Sequence, residues 1–419
     1  MIKTQHHILH VTGKEAKLLQ ECQQEAARCW NEILHRAGVH YAFTGGKWVS
    51  KYDLQKELKG EFRLHSQTVQ ALVDKFVANR QTAGRLRKQG LRKIRYPWRK
   101  KKYITVPFKQ KSIRLSQKGT LVLTLRRGVY FDTGVVPRVP VHTAEIMWRK
   151  GRYVLAYTGE FPESDPITSG TSAGVDIGEI HPVALCTSDG ISLIVSGRAI
   201  RSIKQFRNKS LALFQKRISR CKKGSRMWRR LLRAKRRMMA KSDMQIRDML
   251  HKATRKAIDF CLENEISELV IGDMTGVEKN TRKKKRLSRK ARQKVSQMEH
   301  GTITFYLVYK AREKGIRTCL ANERDTSREC PVCGRKNHIN GRMYRCSCGF
   351  SGHRDVKAAF LILRKRYPDL MCPSVFSIHH VQCVSKYRKR LVPACVDGPG
   401  VVQSSSAIAV SLRRALSAA

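Results

Sequence analysis

The chain has 419 residues, with 85 Lys and Arg against 32 Asp and Glu, a formal charge of +53. Self-repulsion on that scale argues against a protein that works without a polyanion, and a surface that neutralises many phosphates gains affinity by counterion release. Hydrophobic residues make up 41% of the chain, which allows true cores and excludes a disordered basic tail, while the absence of a charged-then-apolar leader or a bilayer-length apolar run reads as soluble and intracellular.

Residues 1–10 read as a short strand, followed by helical periodicity on basic faces to about residue 96, with helices predicted over 15–37 and 67–90. Trp30, Trp48, Tyr52 and Trp98 in this region read as core residues before stacking platforms for bases. From residue 102 to 161 the pattern alternates between turns (YITVPF, SIRLSQ, GTLVLTLRR, TAEIMWRKGRYVLAYTGEF), which predicts a sheet or barrel around the helical insertion. The polar stretch PESDPITSGTSA then reads as a linker.

The second half opens with three strands, AGVDIGE, PVALCTS and ISLIVSG, the last two joined at an Asp189-Gly190 turn. Residues 201–240 hold 16 Lys and Arg and no acid, in helical periodicity, which suits helices laid along phosphates. A helix (242–265), the strand ELVIGD, a loop at 281–294 with nine basic residues in fourteen, a helix (296–315) and the strand IRTCLANE follow. The basic loop is expected to order on nucleic acid. The order βββαβαβ with a final helix is that of the ribonuclease-H/RuvC class. Beyond about Tyr367 the chain reads as a poorly ordered tail in which Cys372, Cys383 and Cys395 are incidental.

Thirteen cysteines in a reducing compartment direct attention to the tightly spaced ones as metal ligands. Cys330 and Cys333, and Cys346 and Cys348, flank twelve residues and each pair is followed by Gly. That pattern predicts a structural Zn2+ ribbon, because four thiolates leave no open coordination position. A ribbon begins and ends near one place, so Glu323, seven residues before Cys330, and Asp355, seven after Cys348, become neighbours at its root. With Asp176 at the end of the first strand, they form a candidate triad for Mg2+-dependent phosphodiester hydrolysis.

The blocks GVDIGEIHPVAL, MLHKAT, ELVIGDMTGV, YLVYKAREKGI, TSRECPVCG and RCSCGFSGHRDVKAA resemble the signature blocks of the TnpB family, transposon proteins related to type V CRISPR effectors. The resemblance implies an α+β multidomain protein. A wedge-type β-barrel (1–13 and 98–168) would carry an inserted helical recognition domain (14–97). A RuvC-like α/β nuclease domain (172–325 and 353–367) would carry an inserted zinc ribbon (326–352), leaving 368–419 as the tail. It further implies a guide RNA from the transposon end, a double-stranded DNA target beside a short flanking motif, Mg2+-dependent cleavage, and a prokaryotic cytoplasmic, nucleoid-associated location.

On the family pattern Asp176 is the first RuvC carboxylate and Asp355 the last. The middle one departs, since Gly272-Asp273 stands where the family usually has Glu-Asp. If IRTCLANE pairs beside ELVIGD, it delivers Glu323 into the space that Gly272 leaves open. Asp273 points to the other strand face and ranks second. Glu179 and His181, close to Asp176, read as turn residues before an accessory metal or water role, His353 as neutral packing before orienting a phosphate, and Asp325 and Thr326 as caps of the turn into the ribbon. The rival readings are a nuclease-inactive, repressor-like RNA-guided DNA binder, an unguided zinc-ribbon binder and a plain junction resolvase.

Overall fold

The computed structural model describes residues 1–91, 93–277, 288–337 and 341–383. The chain divides into two compact units, Met1–Pro162 and Glu163–Ala419.

The first unit opens with strand β1 (Ile2–Ile8), then helices α1 (Gly13–Phe43), α2 (Lys51–Glu57) and α3 (Ser66–Lys88), before strands β2 (Val106–Lys109), β3 (Ile113–Leu115), β4 (Leu121–Arg126), β5 (Val129–Asp132), β6 (Val141–Arg149) and β7 (Arg152–Glu160). A capping box starts α1: Thr12 Oγ1 accepts from the Glu15 amide while the Glu15 carboxylate accepts from the Thr12 amide, satisfying two otherwise orphaned donors. The strands form an antiparallel sheet in the order β1-β7-β6-β2 and a separate one in the order β3-β4-β5. Among the described residues neither sheet closes, so the expected barrel is replaced by two open sheets. β2 pairs with β6, whereas β3, after the 3-10 turn Gln110–Ser112, pairs with β4, and the helices and both sheets share one core that includes Leu19, Leu72, Phe76, Phe108, Leu123 and Tyr157. Trp30 and Trp48 pack on Phe76 within it. Tyr52 and Trp98, by contrast, are 76% and 62% exposed, each under a cation, Lys51 and Arg95 respectively.

The second unit contains strands β8 (Thr171–Asp176), β9 (Val183–Thr187) and β10 (Ile191–Ser196), helices α4 (Arg198–Ser219) and α5 (Arg226–Glu263), strand β11 (Ile266–Asp273), helices α6 (Arg289–Ser296) and α7 (His300–Glu313), strand β12 (Arg317–Asn322), the hairpin β13 (Met343–Arg345) and β14 (Ser351–His353), helix α8 (Arg354–Arg366) and strand β15 (Ser377–Gln382). One six-stranded sheet runs β12-β11-β8-β9-β10-β15. Strands β8, β9 and β10 are antiparallel, and β11 lies parallel to β8 and β12. Strand β11 is buried along all but its last residue, which is why LVIG, after Glu268, reads as an apolar run rather than an alternating one. One face of the sheet packs on α5 and α7, and the other takes α8. Gly174 in β8 makes this possible: a Cβ there would lie 2.0 Å from the Ala359 carbonyl oxygen of α8, so helix and strand meet backbone to backbone.

Two sequence expectations change here. Residues 289–296 of the basic segment form α6 with a Ser288 cap, and its first part, 281–287, lies outside the described residues. The tail is not irregular throughout, since β15 adds a sixth strand parallel to β10. Its signal was weak because an edge strand with Ile378 and Val381 turned to opposite cores lacks a clean alternation. Cys372 and Cys383 pack in those cores, and Cys395 lies outside the described residues. Among the described residues no helix is long and apolar enough to cross a membrane.

Candidate functional site

Three elements deliver carboxylates to one end of the second-unit sheet. Asp176 ends β8, Glu323 follows β12 directly, and Asp355 stands in the first turn of α8. In the β11–β12 ladder Gly272 is opposite Ala321. A Cβ on Gly272 would meet Glu323 Oε2 at 2.9 Å, Ile362 Cδ1 at 3.0 Å and the Val175 carbonyl at 3.4 Å. The Glu323 carboxylate thus occupies the volume that a larger residue at 272 would fill. The Thr326 hydroxyl fixes the turn beneath it by donating to the Glu323 carbonyl at 2.8 Å. Substituting Gly272→Ala is therefore expected to displace the Glu323 carboxylate; a structure of the variant with that carboxylate unmoved would contradict this.

The three carboxyl groups interact electrostatically. Burial, reinforced by the Asp355 and Glu323 carboxylates, pushes Asp176 up to about 8, against the opposing pull of Arg354 and Lys357. Burial and the charge of Asp273 push Glu323 up to about 7. Glu323 Oε2 is also buried with no hydrogen-bond partner. Asp355 behaves differently. Burial would raise it, but the hydrogen bond with His181 and the charge of Arg342 outweigh burial and hold it below its ordinary value. An orphaned buried oxygen and a strained pair of acids beside a third are what a divalent cation relieves, and a set of carboxylate oxygens suits a hard ion such as Mg2+.

The other residues singled out in the sequence fall elsewhere. Asp273 is exposed and accepts from the Thr275 amide at 2.8 Å, so it caps the turn after β11, at the rim of the cluster, where its charge is felt by Glu323. Glu179 pairs with Arg201 at 3.0 Å and Asp325 with Lys336 at 2.8 Å. His353 Nδ1 accepts from the Asp355 amide at 3.3 Å, capping α8. His181 is more than a turn residue, since its Nδ1 lies 2.6 Å from Asp355 Oδ2.

The four cysteines converge. Cys330 Sγ is 3.6 Å from Cys348 Sγ, and Cys333 Sγ is 3.5 Å from Cys346 Sγ. A zinc–sulfur bond of about 2.3 Å gives a tetrahedral edge of about 3.8 Å, so the sulfurs stand close to the spacing that Zn2+ requires. The segment grips α8 through contacts invisible in the sequence. Lys357, fully buried, donates from Nζ to the Glu329 carbonyl at 2.6 Å and lies 4.1 Å from the Tyr344 ring centroid. Arg364 donates to the Pro331 carbonyl at 2.6 Å, and Arg342 donates to Asp355 Oδ2 at 2.9 Å.

Comparison with known proteins agrees with this architecture. Residues 157–278 match the family model OrfB_IS605, described as "Probable transposase", and residues 300–362 match the model for the Cas12f1-like TNB domain. The TnpB-like protein MJ0751 of Methanocaldococcus jannaschii is 29% identical over 123 residues, which are 29% of this chain and 43% of that protein. In these segments the chain is similar to the TnpB family. The cryo-EM structure of a Cas12f1-sgRNA-target DNA complex superposes on this chain with a TM-score of 0.59 at 13% identity, over 84% of this chain and 83% of that one. The likeness at that identity is one of fold. The two family models together span β8 to β11 and α7 to most of α8, while β15 lies beyond both.

Proposed function

We propose that this chain is an RNA-guided DNA endonuclease of the TnpB family in which Asp176, Glu323 and Asp355 hold catalytic Mg2+ and Cys330, Cys333, Cys346 and Cys348 hold structural Zn2+. The observation that carries the reading is the buried, unpartnered Glu323 Oε2 lying over Gly272, beside an Asp176 that feels both of the other carboxylates. A chain that had simply lost its middle carboxylate would have no reason to bury a second one in the vacated volume, since an ionised group there costs several kcal/mol without a counter-charge.

When bound, divalent metal supplies an activated water and neutralises charge on the leaving 3′-oxygen. The chain's own residues do the rest. The carboxylates hold a divalent charge at the strand ends, α8 and the ribbon keep Asp355 in place, and guide pairing reads the target while the protein reads its shape and a flanking motif. Helices α4 and α5 suit the phosphate backbones. Apart from Arg201, Lys204 and Arg207, which pair with Glu179, Glu299 and Asp243, their run of bases includes the exposed Arg229, Arg230 and Arg233. Neutralising those three is expected to weaken nucleic-acid binding without changing sequence preference and to lower the log–log salt slope by about 0.9 for each phosphate no longer neutralised. A slope equal to that of the wild type would remove α5 from the nucleic-acid surface. The wedge and recognition roles of residues 1–168 belong to the same proposal, with the exposed Tyr52 and Trp98 as stacking surfaces.

The test is cleavage of a plasmid library by the purified protein–RNA complex with Mg2+, for wild type, Asp176→Ala and Glu323→Ala. Guided cutting lost in both variants supports the reading. The missing glutamate at 272 favours one rival, a guided DNA binder without nuclease activity. A wild type that binds its target and never cuts would establish that rival.

A further inference from the structure

His181 is a buried group beside the carboxylate cluster that the nuclease reading leaves unused. The β8–β9 connection folds back sharply, the Gly178 amide donating to the His181 carbonyl at 2.9 Å and the Gly197 amide to the Ile180 carbonyl at 2.7 Å. The ring it delivers is 8% exposed and meets Asp355 Oδ2 at 2.6 Å from a position 174 residues away. Arg342 Nη1 reaches the same oxygen at 2.9 Å. Among the described residues Asp355 Oδ1 has Arg354 Nε at 3.9 Å and no hydrogen bond. One oxygen of this carboxylate therefore carries two N–H donors while the other is left to a cation, since a metal on Oδ2 would face the donors' hydrogens.

The two donors are not equivalent. The His181 side chain is 9% exposed and the Arg342 side chain 40%, so the imidazole is the one held by its surroundings. His181, His353 and Asp355 lie close enough to suggest a second metal triad. His353 Nδ1, however, is engaged in capping α8, and Asp355 Oδ2 is taken, so the trio is a hydrogen-bond chain.

We infer that His181 is a positioning residue of the nuclease site, donating from Nδ1 to Asp355 Oδ2 so that Oδ1 is presented to the metal. The inference rests on the nuclease reading and assigns to this chain a partner that its carboxylate motif does not contain. Hydrogen bonds that orient a ligating side chain typically carry 10- to 100-fold in metal affinity or activity.

Three substitutions separate position from chemistry. His181→Asn places an N–H near the Nδ1 position, His181→Gln places it near Nε2, and His181→Leu removes it. In the full-length protein with its RNA, Mn2+ affinity is read by electron paramagnetic resonance of the free ion, single-turnover cleavage is measured at saturating target, and the melting temperature reports folding. His181→Leu and His181→Gln are expected to lose roughly 10- to 100-fold in Mn2+ affinity and in cleavage rate, with target binding unchanged, while His181→Asn stays within a few-fold of wild type. Unchanged Mn2+ affinity in His181→Leu overturns the inference, whether cleavage survives or fails. If His181→Leu does not fold, equal behaviour of the Asn and Gln variants overturns it. Asp176→Asn serves as the control for the underlying reading: Mn2+ binding indifferent to that change brings down the nuclease assignment and this inference with it, whereas binding that responds to Asp176 but not to His181 brings down the inference alone.

Discussion

Asp176→Asn is expected to abolish guided cleavage, by at least ~10²- to 10³-fold, while target binding persists and the metal-free protein becomes more stable at pH 8. The first effect follows from losing a ligand whose bound ion supplies several kcal/mol of transition-state charge stabilisation, at ~1.36 kcal/mol per decade of rate. The second is the signature of a site built under repulsion. Asp176 is raised to about 8 and Glu323 to about 7, against roughly 4 in the unfolded chain. Between those values these two sites bind more protons in the folded, metal-free chain than in the unfolded one. Their contribution to stability therefore falls as pH rises from about 4 through 8, opposite to that of His251, which burial pulls down to about 4, and divalent metal should restore it. Removing one carboxylate relieves the repulsion, raising the melting temperature by ~2–4 °C for each kcal/mol relieved. Melting curves at pH 5.5 and 8, with and without Mg2+, check this. A stability difference between Asp176→Asn and the metal-free wild type that is the same at both pH values, or a wild type unaffected by Mg2+ at pH 8, would contradict a carboxylate cluster.

Loss of zinc is expected to be the other large effect. One equivalent per chain is anticipated, and Cys346→Ser or exhaustive chelation should remove it. Structural zinc in small modules contributes ~10–16 kcal/mol of apparent binding energy, which is also their folding energy. Without it, β13 and β14 should lose amide-exchange protection while β8–β11 keep theirs. Cleavage should fail with the ribbon, because Arg342 then leaves Asp355 and Lys357 loses the Glu329 carbonyl. Lys357, which burial already pulls down to about 8, would be left a buried amine without its acceptor, a costly state that pulls on the helix carrying Asp355. Full cutting by a demonstrably zinc-free protein would separate the ribbon from the site and refute the coupling.

Much of the candidate site was legible in the amino-acid sequence because its signals are local. The +53 charge, the four closely spaced cysteines and the strand-end Asp176 need no tertiary information. The strand pattern of the second unit was equally open to reading, since each strand there is a short apolar run bounded by turns. Even the displaced glutamate could be reasoned out, because two neighbouring parallel strands put residue 323 near residue 272 once their pairing is supposed. The closed barrel was not forthcoming. Local alternation specifies strands but not their partners, and here β2 goes to β6 while β3, after the 3-10 segment Gln110–Ser112, goes to β4 in a separate sheet.

What only the tertiary structure decided are the contacts made across long sequence separations. That α8 lies on β8 depends on the absence of a side chain at Gly174 opposite the Ala359 carbonyl, a steric fact with no periodic signature. The burial of Lys357, the reach of Arg342 and the pairing of His181 with Asp355 depend on how the ribbon and the β8–β9 turn are seated against that helix. Hydrophobic pattern sets which face of an element turns inward. It does not say which polar group from a distant turn will arrive to satisfy a carboxylate buried there, and in this protein that group is an imidazole that the sequence presents as an ordinary turn residue.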